Sequence, residues 1–121
     1  MPSPKKVYDV FTMGTCKTFN LVYFGSTWVN AVPTYRFQPD PLSFSSPSKN
    51  PKNKCYCNEQ DEEWCDGSFD LSRCLDGAPV AYSLPHFHHG GDKLRNNVIG
   101  MKPDEKKHTS FIDVEKVSLT P

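Results

Sequence analysis

The residues with the most chemistry to offer are five cysteines, Cys16, Cys55, Cys57, Cys65 and Cys74, four of them between positions 55 and 74. Thiolates at this density either hold a metal or form disulfides. Structural zinc sites favour paired C-x2-C knuckles. Here Cys55-Tyr56-Cys57 is C-x-C and no second matching knuckle follows. Disulfides in an oxidising compartment are therefore the favoured reading. An odd number leaves one thiol either free or bonded to chain outside this sequence.

The histidines offer less. In Pro85-His86-Phe87-His88-His89 an extended backbone would put His86 and His88 on one face, a spacing that can chelate a metal. The plainer reading is a packed, hydrogen-bonded His86 beside Phe87, with His88 and His89 exposed, and no metal or cofactor is assigned. A cysteine nucleophile needs a depressed pKa and a well-held imidazole, and nothing local supplies them. The Gly-rich phosphate loop, G-x-S-x-G and H-E-x-x-H patterns are absent. Asp61 and Glu62 lie in an acidic run, Glu59 to Glu63, that reads as a solvated loop with Lys49, Lys52 and Lys54 just upstream. Nothing among these residues is a positive sign of an enzyme. Asn-x-Ser/Thr acceptors are also lacking; Asn53-Lys54-Cys55 is only the rare cysteine variant.

The elements that would position these residues are mostly strands. Thr18 to Phe24 alternates, with Phe19, Leu21 and Tyr23 on one face, and Gly25-Ser26 then suits a turn. Trp28 to Val32 reads as a returning strand, and Thr34 to Gln38 alternates again through Tyr35 and Phe37. Residues 1–14 show no clear pattern, and residues 39–54 are a proline-rich loop. Residues 78–84 read as a strand limited to an edge by Pro79. Asp92 to Val98 suits a short helix with Asp92 as N-cap, Leu94 and Val98 on one face and Gly100 as C-terminal cap. A further helical turn is expected at Pro103-Asp104-Glu105 and a last strand over residues 109–117.

The bulk properties agree with one small, turn-rich, mainly β unit. The chain has 121 residues, 11 prolines and 36% hydrophobic content, so a modest core needs covalent help or a partner. Fourteen basic and fourteen acidic side chains cancel, which argues against charge-driven binding to nucleic acid or a membrane surface. No run is apolar and long enough to span a bilayer. The stretch after Lys5 and Lys6 is too short, and interrupted by Asp9, to act as a secretory signal.

Several segments, taken in order, resemble the class B scavenger receptor family. They are Cys16 with Tyr35-Arg36-Phe37, then Asn50-Pro51-Lys52-Asn53-Lys54-Cys55-Tyr56-Cys57. Phe69-Asp70-Leu71-Ser72-Arg73-Cys74 follows, running on through Gly77 and Pro79 to Ser83-Leu84-Pro85-His86-Phe87. Gly100-Met101-Lys102-Pro103, His108 and Ile112-Asp113-Val114-Glu115 complete the series. Each is weak alone; their shared order is specific. The resemblance covers residues 16 to about 120, leaving residues 1–15 unmatched and residues 16–121 as part of an ectodomain with a disulfide-rich loop over residues 55–74.

The resemblance implies disulfides Cys16–Cys74 and Cys57–Cys65, with the partner of Cys55 upstream of this sequence. It implies part of an antiparallel β-barrel core with short helices, in a receptor anchored by a transmembrane helix at each end. Its expected place is the extracellular or lumenal side of a plasma or endolysosomal membrane. The implied ligands are lipids, lipoproteins or other hydrophobic molecules passed along a tunnel, with no nucleic-acid partner. Phe19, Leu21, Tyr23, Phe37, Tyr82 and Phe87 are its candidate wall residues. Gly77, Pro79, Ser83, Pro85, His86, Phe87, Gly100, Pro103 and His108 are the family signature and read as structural. Two rivals are a soluble decoy that binds ligand without an anchor, and a small zinc-binding interaction domain.

Overall fold

A computed structural model describes residues 6–58 and 60–116. Glu59, at the head of the acidic run, and Val117, at the end of the expected last strand, lie outside the described residues. Four strands, β1 (Val7–Thr12), β2 (Lys17–Val29), β3 (Val32–Pro39) and β6 (Ile112–Glu115), form an antiparallel sheet in the order β1-β2-β3-β6. The sheet curls into a half barrel. Between β3 and β6 the chain makes 3-10 turns at Pro41–Phe44, Pro51–Tyr56 and Glu62–Cys65. A two-stranded ribbon, β4 (Ser68–Asp70) with β5 (Ala81–Ser83), comes next. A 3-10 turn at Pro85–Phe87 and two helical turns, α1 (Asp92–Asn96) and α2 (Glu105–His108), lead into β6.

Several boundaries differ from the sequence expectation, each for a local reason. No turn forms at Gly25-Ser26. β2 runs on to Val29, and the register shift between Tyr23 and Gly25 marks a bulge with Phe24 as the extra residue. The reversal falls at Asn30-Ala31, where both residues have positive φ, 47° and 68°, as a two-residue hairpin loop of matching twist requires. β1 carries no readable alternation, because Val7 and Phe11 face outward while Tyr8 and Val10 face the partner side. β5 is only three residues long, starting beyond Pro79, which has no N–H to donate. α1 stops at Asn96 with Gly91 rather than Asp92 as N-cap; Leu94 is buried, but Val98 and Gly100 lie beyond the helix. β6 spans only Ile112–Glu115.

The strand register sorts the two faces of the sheet. Residues directly opposite one another share a face. Val10 with Phe19, Tyr8 with Leu21, Tyr23 with Phe37 and Phe37 with Ile112 make the inner, aromatic face. Asp9 with Asn20 and Arg36 with Asp113 occupy the other. Arg36 donates two hydrogen bonds of 2.8 Å to Asp113, and the Phe111 ring lies 3.8 Å from its guanidinium carbon. That bidentate bond ties β3 to β6, the longest-range pairing in the sheet.

Packed on the inner face is a small core of Phe44, Phe69, Leu71 and Leu84, with Phe19 and Tyr56 against it. The Phe44 and Phe69 rings are 5.4 Å apart, and Phe19 sits 5.7 Å from Phe44 and 5.8 Å from Phe69. Such offset ring pairs contribute beyond their buried area. The join between sheet and core is polar. Lys17, 3% exposed, donates 2.7 Å to Asn53 Oδ1. Asn53, also buried, shares its amide hydrogens among the carbonyls of Ser45 (2.8 Å), Leu42 (3.2 Å) and Ser43 (3.2 Å). An asparagine so enclosed is unavailable as a glycosylation acceptor.

Two outcomes follow. Asn53→Ala leaves a buried ammonium and several carbonyls unpaired and is expected to lower stability by about 2–3 kcal/mol in urea unfolding at neutral pH; a change within experimental error would show that the clamp contributes nothing. The Arg36 hydrogen bonds hold the Asp113 carboxyl below the usual carboxylate range. Because the folded value is depressed, this stabilisation is present above about pH 4 and lost as pH falls through the folded value. Asp113→Asn should therefore be less stable at neutral pH and lose less stability on acidification than the native chain. Parallel acid profiles would exclude that contribution.

An apolar cleft, a disulfide-bonded loop and a histidine corner

The half barrel and the ribbon enclose an apolar cleft of about 310 Å³, lined by Val10, Phe19, Leu21, Phe44, Tyr82, Leu84, Phe111 and Ile112 among others. Every lining residue borne by a strand of the half barrel comes from its inner face, so strand alternation itself points these side chains into one space, and Tyr82 joins them from the ribbon. A larger depression of about 580 Å³ beside the ribbon is lined by Asn58, Asp70 and Ser72 as well as by rings, and it suits water better than a hydrocarbon.

Of the candidate wall residues, the structure brings Phe19, Leu21 and Tyr82 into the apolar cleft. Tyr23 and Phe37 lie further along the same face in a separate aromatic group. Their rings are 5.7 Å apart, with Tyr8 5.5 Å from Phe37 and Tyr35 5.9 Å from Tyr23. Phe87, at φ 53°, is half-buried in the turn after β5 and does not line the cleft. Sequence reading did not name Val10, Phe44, Leu84, Phe111 or Ile112 as wall residues: Val10 and Phe44 lie in segments with no readable periodicity, and the other three lie in the stretches expected as strands over residues 78–84 and 109–117.

Disulfides join Cys16 to Cys74, with Cα atoms 5.8 Å apart, and Cys57 to Cys65, at 5.7 Å. Cys55 is a free, exposed thiol. Thiols joined in this way are not zinc ligands, which removes the donor set for a cysteine-based zinc domain. In the chain-entropy picture, closing loops with separations of 58 and 8 residues stabilises by about 4 and about 2.5 kcal/mol respectively. The first of these ties the β1–β2 turn to the segment after β4. The acidic run, expected as a solvated loop, has one charged partner further along the chain, Asp61 pairing with Lys93, while Lys49 binds Asp66 at 2.7 Å.

Part of the signature, from Pro85 to His108, builds a histidine corner, while Gly77, Pro79 and Ser83 belong to the ribbon and the turn before it. Gly77 has φ 83° and donates 2.7 Å to the Ser72 carbonyl, closing the turn before Pro79. Ser83 pairs with Ser68 at the end of the ribbon, and Pro85 opens the next turn. There the chain does not continue as a strand: His86, Phe87 and His89 all have left-handed φ, 54°, 53° and 63°. His86 and His88 consequently part. The His86 ring stacks on His108 at 3.9 Å, and its Nδ1 accepts from the Lys102 N–H at 3.1 Å. Nδ1 of His108 accepts from the Asp104 N–H at 2.8 Å. Burial, with His86 beside it, lowers the His108 pKa. Gly100, at φ 92°, and Pro103 shape the connection carrying Lys102 and Asp104. The corner is held on the cysteine loop by a backbone contact so close that a Cβ on Gly67 would lie 2.6 Å from Gly90 Cα.

Among the described residues no helix is long and apolar enough to cross a membrane. The sequence pattern of the CD36 family matches residues 2–121. Scavenger receptor class B member 1 from Rattus norvegicus is 31% identical over 119 residues, 98% of this chain and 23% of that protein. Sensory neuron membrane protein 2 from Drosophila melanogaster is 30% identical, over 93% of this chain and 21% of its own length. Sensory neuron membrane protein 1 from Bombyx mori is 32% identical over 92% of this chain and 20% of its own length. The chain thus spans about a quarter or less of the relatives it matches. With the family pattern running along nearly all of it, this half barrel and its disulfide-bonded loop belong to the CD36 family of membrane receptors.

Proposed function

We propose that the chain supplies one wall of a cavity in which a CD36-family receptor takes up lipids or other hydrophobic ligands and passes them on. The observation that carries this reading is the apolar cleft between half barrel and ribbon, with Phe19, Leu21 and Tyr82 in its lining. The ligand class follows from that lining: aliphatic and aromatic side chains reward burial of hydrocarbon at about 0.8 kcal/mol per methylene. Burying roughly six methylenes would give about 5 kcal/mol, most of which the loss of ligand freedom on binding consumes, so this wall by itself should bind only weakly. Tight binding needs further walls. In this reading the cleft faces the extracellular or lumenal side of the membrane that carries the receptor. No catalytic role is assigned, since the site works through shape and apolarity.

A diazirine-bearing fatty acid should label peptides containing Phe19–Leu21 and Tyr82–Leu84 upon illumination. Val10→Glu and Ile112→Glu, at partly exposed lining positions, put a carboxylate against the acyl chain and should cut labelling roughly tenfold. Trp28→Glu, at the hairpin tip where the ring is 71% exposed, should leave it unchanged. Labelling that is indifferent to both lining substitutions would remove the cleft as the ligand site.

A further inference from the structure

The chain has four histidines, and the fold gathers all of them at one corner: His86 stacks on His108, and the rings of His88 and His89 are 3.8 Å apart. Within this group His88, His89 and Glu105 each present one ligand atom, all lying within 4.8 Å of one another. We propose that these three side chains form a binding site for a divalent transition-metal ion of the zinc class. The sequence alone assigns no metal, and the extended spacing of His86 and His88 is its one candidate geometry within the histidine run. The left-handed turn at residues 86–89 separates that pair and assembles a different set.

Three observations point to a ligand. His88 is 5% exposed, and its Nδ1 is buried with no hydrogen-bond partner. The ring is thus held in place by packing, and Nε2 is the nitrogen that its neighbours engage. It lies 2.9 Å from Glu105 Oε2. That pair of atoms can trade a shared proton for a shared cation. His89 stands beside it as a second imidazole, only partly exposed.

The donor set selects the ion. Two imidazoles and a carboxylate suit zinc, nickel or copper far better than calcium or magnesium, and this set with an open fourth position is one zinc adopts. Softer thiolates do not compete from within the two disulfides. Zinc–ligand bonds of about 2.0–2.1 Å put tetrahedral donors roughly 3.4 Å apart. The widest separation here must therefore close and the His88–Glu105 contact must open slightly. Glu105 is free to adjust, with its side chain 73% exposed.

The test is calorimetric titration of zinc chloride into the untagged, chelator-stripped full chain carrying Cys55→Ser, so that the exposed thiol is not a ligand. One ion per chain is expected. His89→Ala and Glu105→Gln should each weaken it roughly tenfold or more, while His108→Gln, on the neighbouring stacked pair, should leave it unchanged. These positions avoid the buried His88, whose loss could unfold the corner, and circular dichroism and intact disulfides establish that each variant is folded. The absence of binding to the folded chain at about millimolar zinc, or binding that survives both His89→Ala and Glu105→Gln, would overturn the site. So would an equal loss in His108→Gln.

Discussion

The buried ammonium of Lys17 is the constraint around which the rest of the molecule is arranged. It sits at the start of β2, next to Cys16, and is almost fully enclosed. Burial pushes its pKa down to about 8 from 10.5, which corresponds to a cost of about 3 kcal/mol for keeping it charged at neutral pH. What stands around it keeps that cost from rising further. Asn53 accepts its proton at 2.7 Å, and the Tyr56 and Phe69 rings present their faces at 4.2 and 5.2 Å. The lysine is tolerated only because the cysteine loop closes over it, and the loop is ordered by the same asparagine.

This arrangement explains how so small a chain makes a cleft. A curled sheet open at β1 and β6 has an inner face that must be covered. A loop stapled by disulfides covers one end of it, pinned by Asn53 below and by the Cys16–Cys74 link at the side. The cover stops short of Val10 and Ile112, and that uncovered stretch opens the apolar cleft, with Leu21 buried in its lining. The histidine corner is carried on the far side of the same loop through the contact of Gly67 with Gly90. Cleft and corner therefore share one support while offering different chemistry.

Much of this is legible in the residues. The mainly β class, the aromatic face through Phe19, Leu21 and Tyr23, and the helical turn after Pro103 follow from periodicity and turn chemistry. The ordered motifs identify the family. What stays hidden depends on contacts between segments far apart in sequence. A lone Lys17 beside a polar Thr18 gives no hint of burial, and Asn53 reads as a marginal glycosylation site until its amide is seen bonded to three carbonyls. The length of β2 is obscured because Gly25 marks a bulge as readily as a turn. An extended backbone is the natural reading of the histidine run, whereas three left-handed residues in its turn reverse which side chains meet.

The most direct measurement is an NMR titration of the Lys17 Nζ and Cε resonances in the folded, disulfide-bonded chain. A midpoint near 8 is expected if the ammonium is enclosed as described. Since the unfolded chain holds this proton to higher pH, stability should also gain from this group between about 8 and 10.5. A midpoint at 10.5, the ordinary lysine value, would mean that Lys17 faces water. The half barrel and the loop would then not be clamped together by a buried ammonium.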